Sequence, residues 1–310
     1  MFLIESMDLT QAYPAVTPDF APVKALLLNS VSSPITRALY AAALDDFFAW
    51  RARQGHPPFQ RAAIQAYRAH LEGRGYAAST VNQRLAALRK LAREAAASGL
   101  LDATTAAGIV QAPGVRERGV RAGNWLTREQ AAALLGSPDT ATLRGLRDRA
   151  ILALLIGCAL RRGELAALTV EELRQREGRW VLPDLRGKQG RIRTVPVPSW
   201  VKQAVDAWTE AAGLASGRLF RSLPRHGGAP GGSISPQAIL DLVRFHAARL
   251  GLDIRPHDLR RTCAKLCRAA GGELEQIQLL LGHASVQTTE RYLGTRQNLA
   301  SAPNDRLGLG

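Results

Sequence analysis

The amino-acid sequence predicts a mainly α-helical protein with two domains, a smaller helical one followed by a larger, mostly helical one that contains a small β-sheet. Apolar residues recur at helical spacing over most of the chain. Residues 113–124 lack that spacing and are rich in glycine and arginine, as is typical of a linker. Two strand-like runs flank a glycine-containing turn further on. A chain of 310 residues, 46% of them hydrophobic, is long enough to bury two cores.

The first domain is predicted to occupy residues 31–112. Residues 1–30 are expected to be an irregular N-terminal extension because prolines recur in them. An apolar helix face from about residue 39 to 50 is followed by a second helix over about 60–72. Ser79 is the expected N-cap of a third helix, in which valine and leucine recur at 3.6-residue spacing.

The second domain is predicted to span residues 125–299, with a C-terminal tail at 300–310. Thr127 is the expected N-cap of its first helix, and the apolar run 150–160 predicts a buried helix. A β-hairpin is predicted around Gly187–Gly190, with Lys188 at its tip. The strands of this hairpin contain Trp180–Leu182 and Thr194–Val197. Helices resume at about residue 200, and after a loop at 224–236 they are predicted over 239–250, 256–269 and 274–281.

The charge of the chain indicates a polyanionic partner. Its formal net charge is +15, from 41 basic and 26 acidic residues, and only five of the basic residues are lysine. Arginine presents a planar fork of donors that matches phosphate oxygens, which favours nucleic acid as the partner. A genome biased towards arginine codons would explain the preference for arginine over lysine but not the net charge. Eleven basic and eight acidic residues precede position 112, so most of the positive charge lies in the second domain.

The cysteines and the N-terminus favour a reducing, cytoplasmic compartment. Cys158, Cys263 and Cys267 are odd in number and lie in apolar helical segments, which favours a reducing environment over a disulfide framework. Cys263 and Cys267 stand four residues apart and could bind a metal, but no His or Cys pair follows nearby, so we expect them to pack in a core. Glu5 and Asp8 stand where a signal peptide needs basic residues, and no apolar run is long enough to span a bilayer. A cytoplasmic, nucleoid-associated protein with no membrane partner is expected.

Four short segments of the second domain form a pattern. They are Ala159–Leu165, Gly187–Lys188, Pro256–Arg260 and Leu281–Tyr292. In this order they resemble the tyrosine recombinase (phage integrase) family. The first domain looks like the helical, SAM-like core-binding domain of that family. The resemblance implies a tyrosine recombinase fold and a site-specific recombinase that cleaves and rejoins DNA through a 3′-phosphotyrosyl intermediate and a Holliday junction.

The resemblance implies that Tyr292 is the nucleophile, and Tyr292 is the only one of the five tyrosines that lies in the second domain. A tyrosine with a pKa near 10 is about 4 kcal/mol short of ionisation at neutral pH, so it needs a base and a positive field. His257 is the expected proton acceptor. Because His257 and Arg260 stand three apart on a predicted helix, both can approach one phosphate.

Further catalytic roles come from the resemblance. It places the phosphate clamp on Arg161 and Arg260, with Arg162 and Arg261 as adjacent alternatives. Lys188 is implied as the general acid for the leaving 5′ oxygen, although a Gly-Lys-Gln-Gly turn alone would be an ordinary solvent-facing turn. His283 is implied as a hydrogen-bond donor to the phosphate. Glu164 is expected to orient arginine side chains rather than to take part in the chemistry.

The expected partner is double-stranded DNA at a core recombination site, bound by a homo-oligomer that is a tetramer on two sites. No cofactor and no metal are expected, because the phosphotyrosyl link itself stores the energy of the broken bond. The resemblance implies that the C-terminal tail passes to a neighbouring protomer, and the low apolar content of this tail predicts weak docking. Polar and basic side chains on the third helix and in the linker are expected to contact DNA, although a basic helix face is usually only solvated. They are Asn82, Arg84, Arg89, Lys90, Arg116, Arg118 and Arg121.

Two other functions fit the sequence less well. A type IB topoisomerase uses the same types of residue but reseals the strand that it cut. The helical first domain and the spacing between Leu281–His283 and Tyr292 favour a recombinase. A DNA-binding regulator that had lost the reaction would not be expected to keep the complete set of site residues.

Overall fold

The computed structural model describes residues 19–116, 124–187, 192–224 and 230–294, apart from the side chain of Arg291. These residues divide into two compact units, one before the linker and one after it. Each unit has its own apolar core. The prediction of a mainly helical protein with one small sheet is confirmed.

The first unit contains five helices. Helix α4 contacts each of the other four, because its alanine and leucine side chains are buried along most of its length. Aromatic residues of α2 and α3 fill the space beside it, with the rings of Phe47 and Tyr67 5.1 Å apart in an edge-to-face arrangement. The helices are α1 (Ala21–Asn29), α2 (Pro34–Arg53), α3 (Arg61–Gly73), α4 (Ala78–Ala97) and α5 (Ala103–Val110).

The expectation that residues 1–30 are irregular is wrong for α1. Pro22 lies in the first turn of α1, where a backbone N–H has no partner within the helix, so proline is tolerated there. Val23 and Leu27 of this helix are buried in the core of the first unit. Proline therefore marks a helix start at this position.

The N-cap predicted at Ser79 is also wrong. Helix α4 begins at Ala78, and its N-cap, two residues before the predicted one, is Ala77 in an extended conformation without a side-chain hydrogen bond. Ser79 lies exposed in the first turn. Alanine is a strong helix former, so the helix extends back past the serine.

The second unit contains eight α-helices and a three-stranded sheet among the residues that the structure describes. Helix α7 runs through its core and is buried on nearly every side from Ala150 to Ile156. Thr127 caps the first helix through a capping box with Gln130, as predicted. The helices are α6 (Arg128–Gly136), α7 (Leu143–Gly157), α8 (Arg162–Ala167), α9 (Ser199–Ala211), α10 (Pro236–Ala248), α11 (Pro256–Ala269), α12 (Leu274–Leu281) and α13 (Val286–Leu293), with a 3-10 turn at Val170–Glu172.

The sheet is antiparallel, with strands in the order β1 (Arg174–Arg176), β2 (Arg179–Arg186) and β3 (Ile192–Pro196). The predicted hairpin is confirmed, since Val181 pairs with Pro196 and Arg186 with Ile192. Strand β1 was not predicted because its three residues are all exposed and polar, so they show no apolar alternation.

Candidate active site

The predicted site residues of the second unit that the structure describes lie at four helices: α8, α11, α12 and α13. Arg161 lies at the start of α8, and His257 and Arg260 lie in the first turns of α11. His283 follows α12, and Tyr292 lies near the end of α13. Packing of α11 against α7, α12 and α13 brings these segments together. Lys188, which is predicted at the tip of the hairpin, lies outside the described residues.

Arg161 follows a short connection between α7 and α8 that contains an unusual backbone conformation. Ala159 adopts a left-handed backbone conformation with φ of 52°, which is unfavourable for a residue with a side chain. Glu164 accepts hydrogen bonds from both the backbone N–H of Arg161 (2.8 Å) and its guanidinium (2.7 Å). The Arg161 side chain is still 34% exposed, so part of its guanidinium remains accessible.

Arg260 is almost completely buried, with 1% of its surface exposed. Its two terminal nitrogens donate to the backbone carbonyls of Ala159 and Leu281. Burial lowers its pKa to about 10, with further contributions from Arg161 and Arg193, so it remains charged at neutral pH. Arg260 lines a cleft of about 540 Å³ together with Arg161 and His257.

A second buried arginine, Arg193, supports this arrangement. Its guanidinium forms a two-pronged ion pair with Glu164, at 2.9 and 2.8 Å, and its Nε donates to the carbonyl of Leu280 at 3.1 Å. Burial alone would raise the pKa of the Glu164 carboxyl, but hydrogen bonds from Arg193 and Arg161 lower it to about 2. The expectation that Glu164 orients arginines fits these contacts.

Sequence reasoning missed Arg193, although β3 carried a signal for it. Buried and exposed residues alternate along this strand, and Arg193 shares the buried face with Val195. A charged residue on the apolar face of a strand needs a buried partner. Gly282 is close to the same guanidinium, since a Cβ at that position would lie 2.8 Å from Cδ of Arg193.

His283 follows the left-handed Gly282 that ends α12. Its Nδ1 lies 3.0 Å from Oγ1 of the buried Thr289. Burial and the nearby charges of Arg260 and Arg161 lower its pKa to about 4. The imidazole is therefore neutral at pH 7.

Tyr292 lies between the two histidines. Its ring makes edge-to-face contacts with His257 and His283, with centroids 5.6 and 5.1 Å apart, and the guanidinium of Arg261 lies 4.9 Å from its centre. The hydroxyl donates to the backbone carbonyl of His257 at 3.3 Å rather than to its imidazole. Burial raises the pKa of Tyr292, while Arg260 and Arg261 oppose that shift, so the hydroxyl is protonated in this arrangement.

His257 is held in the form that can accept a proton. Burial lowers its pKa, and the charges of Arg260 and Arg261 lower it further. Its imidazole lines the same cleft as the two predicted clamp arginines. The geometry thus combines two cations and a neutral imidazole around one cleft, with the Tyr292 ring packed against that imidazole.

Three of the predicted DNA-binding residues of the first unit make contacts within that unit. Asn82 exchanges two hydrogen bonds with the backbone of Val115, at 2.8 and 2.9 Å. Arg89 donates to the carbonyl of Ala112 at 2.8 Å, and Arg84 is paired with Asp46. Of the others, Lys90 is half-buried and Arg116 is exposed, whereas Arg118 and Arg121 lie outside the described residues.

Neither a metal cluster nor a membrane span is found within the described ranges. No group of three or more His, Cys, Asp or Glu side chains there could hold a metal ion. None of the helices in those ranges combines the length and the apolar character needed to cross a membrane. Cys263 packs with Leu281 and Leu293 in a small apolar cluster, as predicted, and Cys267 lies against that cluster.

Two family models match the chain. Residues 124–298 match the phage integrase family, and residues 23–99 match the N-terminal SAM-like domain of phage integrases. Each match corresponds to one of the two units described above.

Curated relatives cover most of the chain. A tyrosine recombinase of Synechococcus elongatus is 32% identical over 302 residues, which is 91% of this chain and 91% of the relative. The tyrosine recombinase XerC of Rhodospirillum centenum is 35% identical over 84% of this chain and 77% of its own length.

Solved structures share the fold at low sequence identity. The XerH site-specific recombinase bound to its difH substrate aligns with a TM-score of 0.66 at 16% identity, covering 91% of this chain and 82% of that one. A lambda integrase dimer bound to a core site aligns with a TM-score of 0.64 at 18% identity, covering 88% and 93%.

Proposed function

The chain belongs to the phage integrase family of tyrosine recombinases, and from this membership and the site geometry we propose that its second unit holds one DNA phosphate for attack by Tyr292. Its activity is site-specific recombination, the cutting and rejoining of DNA strands. The observation that carries the proposed mechanism is the meeting of Arg161, Arg260 and His257 at one cleft, with the Tyr292 ring packed against His257.

In this mechanism the two arginines hold the nonbridging oxygens of the phosphate. Negative charge on these oxygens grows as the phosphorus becomes five-coordinate, so the guanidinium contacts strengthen towards the transition state. Arg260 is held in place beforehand by two backbone carbonyls and Arg161 by Glu164. Little reorganisation is then required when the phosphate arrives. His283 adds a hydrogen bond to the same oxygens.

The chemical step exchanges one phosphodiester for another. The Tyr292 hydroxyl leaves the His257 carbonyl, and its oxygen bonds to phosphorus while its proton passes to the neutral His257 imidazole. The bond from phosphorus to the 5′ oxygen breaks, and that oxygen takes a proton from Lys188. A 5′ hydroxyl from the partner duplex reverses the sequence and forms a Holliday junction. Bond types are conserved throughout, so no external energy source is needed.

The first unit is proposed to hold the DNA backbone beside the site. Lys90, Arg116, Arg118 and Arg121 are the proposed direct contacts. Asn82, Arg84 and Arg89 are proposed to act indirectly, because their polar groups bind other parts of the same unit. Asn82 and Arg89 fasten residues 112–115, the segment that leads to Arg116.

The proposed assembly is a tetramer on two core sites, acting on nucleoid DNA in the cytoplasm. One protomer attacks one strand, and a complete reaction cuts both strands of two duplexes, so four protomers are required. The lambda integrase structure is a dimer on one core site, which is half of such an assembly.

Substitution of the nucleophile tests this function. Tyr292→Phe should bind DNA with unchanged affinity yet form no covalent adduct on a nicked suicide substrate. Tyr40→Phe, in the first unit, is the matched control and should trap DNA like the parent protein. Adduct formation by Tyr292→Phe would overturn the mechanism. Relaxation of supercoils without dependence on a second site would instead support the topoisomerase alternative.

A further inference from the structure

Thr289 contacts the active site through a hydroxyl that is completely buried. It lies on α13, three residues before Tyr292, with none of its surface exposed. Its Oγ1 is 3.0 Å from Nδ1 of His283. A buried hydroxyl is costly unless it is hydrogen-bonded, so this contact fixes the orientation of both groups.

The contact matters because a neutral imidazole carries only one N–H. If that proton lies on Nδ1, then Nε2 is an acceptor and cannot donate to a phosphate. If the proton lies on Nε2, then Nδ1 needs a donor, and a hydroxyl can rotate to supply one. His283 is neutral at pH 7 because its pKa is about 4, so the choice between the two tautomers is decisive for any role as a donor.

We propose that Thr289 is a positioning residue, whose hydroxyl donates to Nδ1 of His283 and so keeps the proton on Nε2, where it can bind the attacked phosphate. This inference rests on the proposed function. It also links two parts of the site, because one turn of α13 carries both Tyr292 and the hydroxyl that selects the tautomer. The phosphate donor is then correctly protonated only when the helix bearing the nucleophile is docked.

The chain offers matched variants for a test. Thr289→Val keeps the shape of the side chain but removes the hydroxyl, and Thr289→Ser restores it. Thr288→Val is the control, since Thr288 is exposed and its hydroxyl bonds to Ser285 at 3.0 Å. The tautomer of His283 is read from long-range ¹H–¹⁵N spectra of the full chain labelled with ¹⁵N-histidine, and His283→Gln identifies its signals among the six histidines.

The Nε2–H tautomer of His283 should dominate in the absence of DNA in the parent protein and in both the Thr288→Val and the Thr289→Ser variants. Thr289→Val should shift His283 towards the Nδ1–H form. Its cleavage of a suicide substrate should slow roughly 10- to 100-fold, the range expected when one hydrogen bond to a charged group is lost. Thr289→Val should cause no further loss in a His283→Gln background, because it acts through that histidine.

An unchanged tautomer in Thr289→Val would overturn the proposal, and so would a changed tautomer with cleavage at the parent rate. Thermal unfolding of Thr289→Val and Thr289→Ser checks that both variants fold. The tautomer is measured without DNA and without turnover. Failure of the proposed function would instead appear as adduct formation by Tyr292→Phe, whatever the tautomer of His283.

Discussion

Basic residues of the two units look alike in the sequence but have different surroundings. On α4, Arg84 and Arg89 bind groups of their own unit. At the start of α8, Arg161 is also held by a carboxylate, yet a third of its side chain stays exposed at a cleft. The difference teaches that a basic residue on a helix face is a poor guide to a DNA contact. What distinguishes Arg161 is that it is fixed by the protein, still partly exposed, and next to a second, buried arginine at the same cleft.

The largest loss of activity should come from replacing Arg260, the buried arginine of the proposed phosphate clamp. In Arg260→Lys the charge is kept, but a compact ammonium cannot reach both backbone carbonyls and a phosphate. Cleavage of a suicide substrate should fall by roughly 10²- to 10³-fold, as is usual when an oriented donor is lost. Arg268→Lys, at the exposed end of the same helix, is the control and should cleave normally. A loss of less than tenfold in Arg260→Lys would contradict the proposal that a guanidinium fixed by the protein holds the phosphate.

The next effect concerns the stability of the second unit. Arg193→Gln leaves the Glu164 carboxylate buried without its two-pronged partner, so the free energy of unfolding should fall by about 3–5 kcal/mol. Glu164→Gln in the same chain should recover part of that loss. Denaturant unfolding of both variants measures the effect, and equal stability of Arg193→Gln and the parent would contradict it.

The ion pair between Arg193 and Glu164 also predicts how the stability of the second unit depends on pH. The pKa of Glu164 lies at about 2 in the folded protein, below its ordinary value of 4.5. The carboxylate therefore stabilises the fold above pH 4.5, and this contribution is lost as the pH falls towards 2. Unfolding midpoints of the parent should fall more steeply over that range than those of Glu164→Gln. Parallel curves would show that the carboxylate is not stabilised by folding.

A smaller loss of stability is expected from a substitution on α4. Asn82→Ala removes two hydrogen bonds to Val115, so it should destabilise the first unit by about 1–3 kcal/mol. Arg93→Ala, at an exposed position of the same helix, should leave stability unchanged. Thermal unfolding compares the two variants. If Asn82→Ala weakened DNA binding without any loss of stability, Asn82 would be a direct contact after all.

The smallest effect, a change in DNA affinity, should come from removing a single proposed contact to the DNA backbone. Arg116 is exposed, so Arg116→Ala should leave stability unchanged, weaken DNA binding a few-fold and reduce the slope of log affinity against log salt by about one. Fluorescence anisotropy at several salt concentrations gives both quantities. An unchanged affinity and slope would exclude Arg116 from the interface.

Most of the fold could be predicted because apolar periodicity reports which face of an element is buried. It located α10, α11 and α12 and both strands of the hairpin. It missed α1, where proline was taken as a sign of irregular structure, and β1, which has no buried face. Among the site residues, motif order led to the cleft, whereas the Asn82 contact joins positions far apart in the chain and leaves no trace in local periodicity.

The C-terminal end of α12 has a consequence for the charge available to DNA. Two successive carbonyls there, of Leu280 and Leu281, accept from Arg193 and Arg260. Arg193 is also paired with the Glu164 carboxylate, whereas Arg260 donates to the uncharged peptide carbonyls of Ala159 and Leu281. A carbonyl can fix the position of a guanidinium without neutralising it. The backbone thus fixes the position of the Arg260 guanidinium without a direct ion pair, so its positive charge stays available for the phosphate of the proposed mechanism.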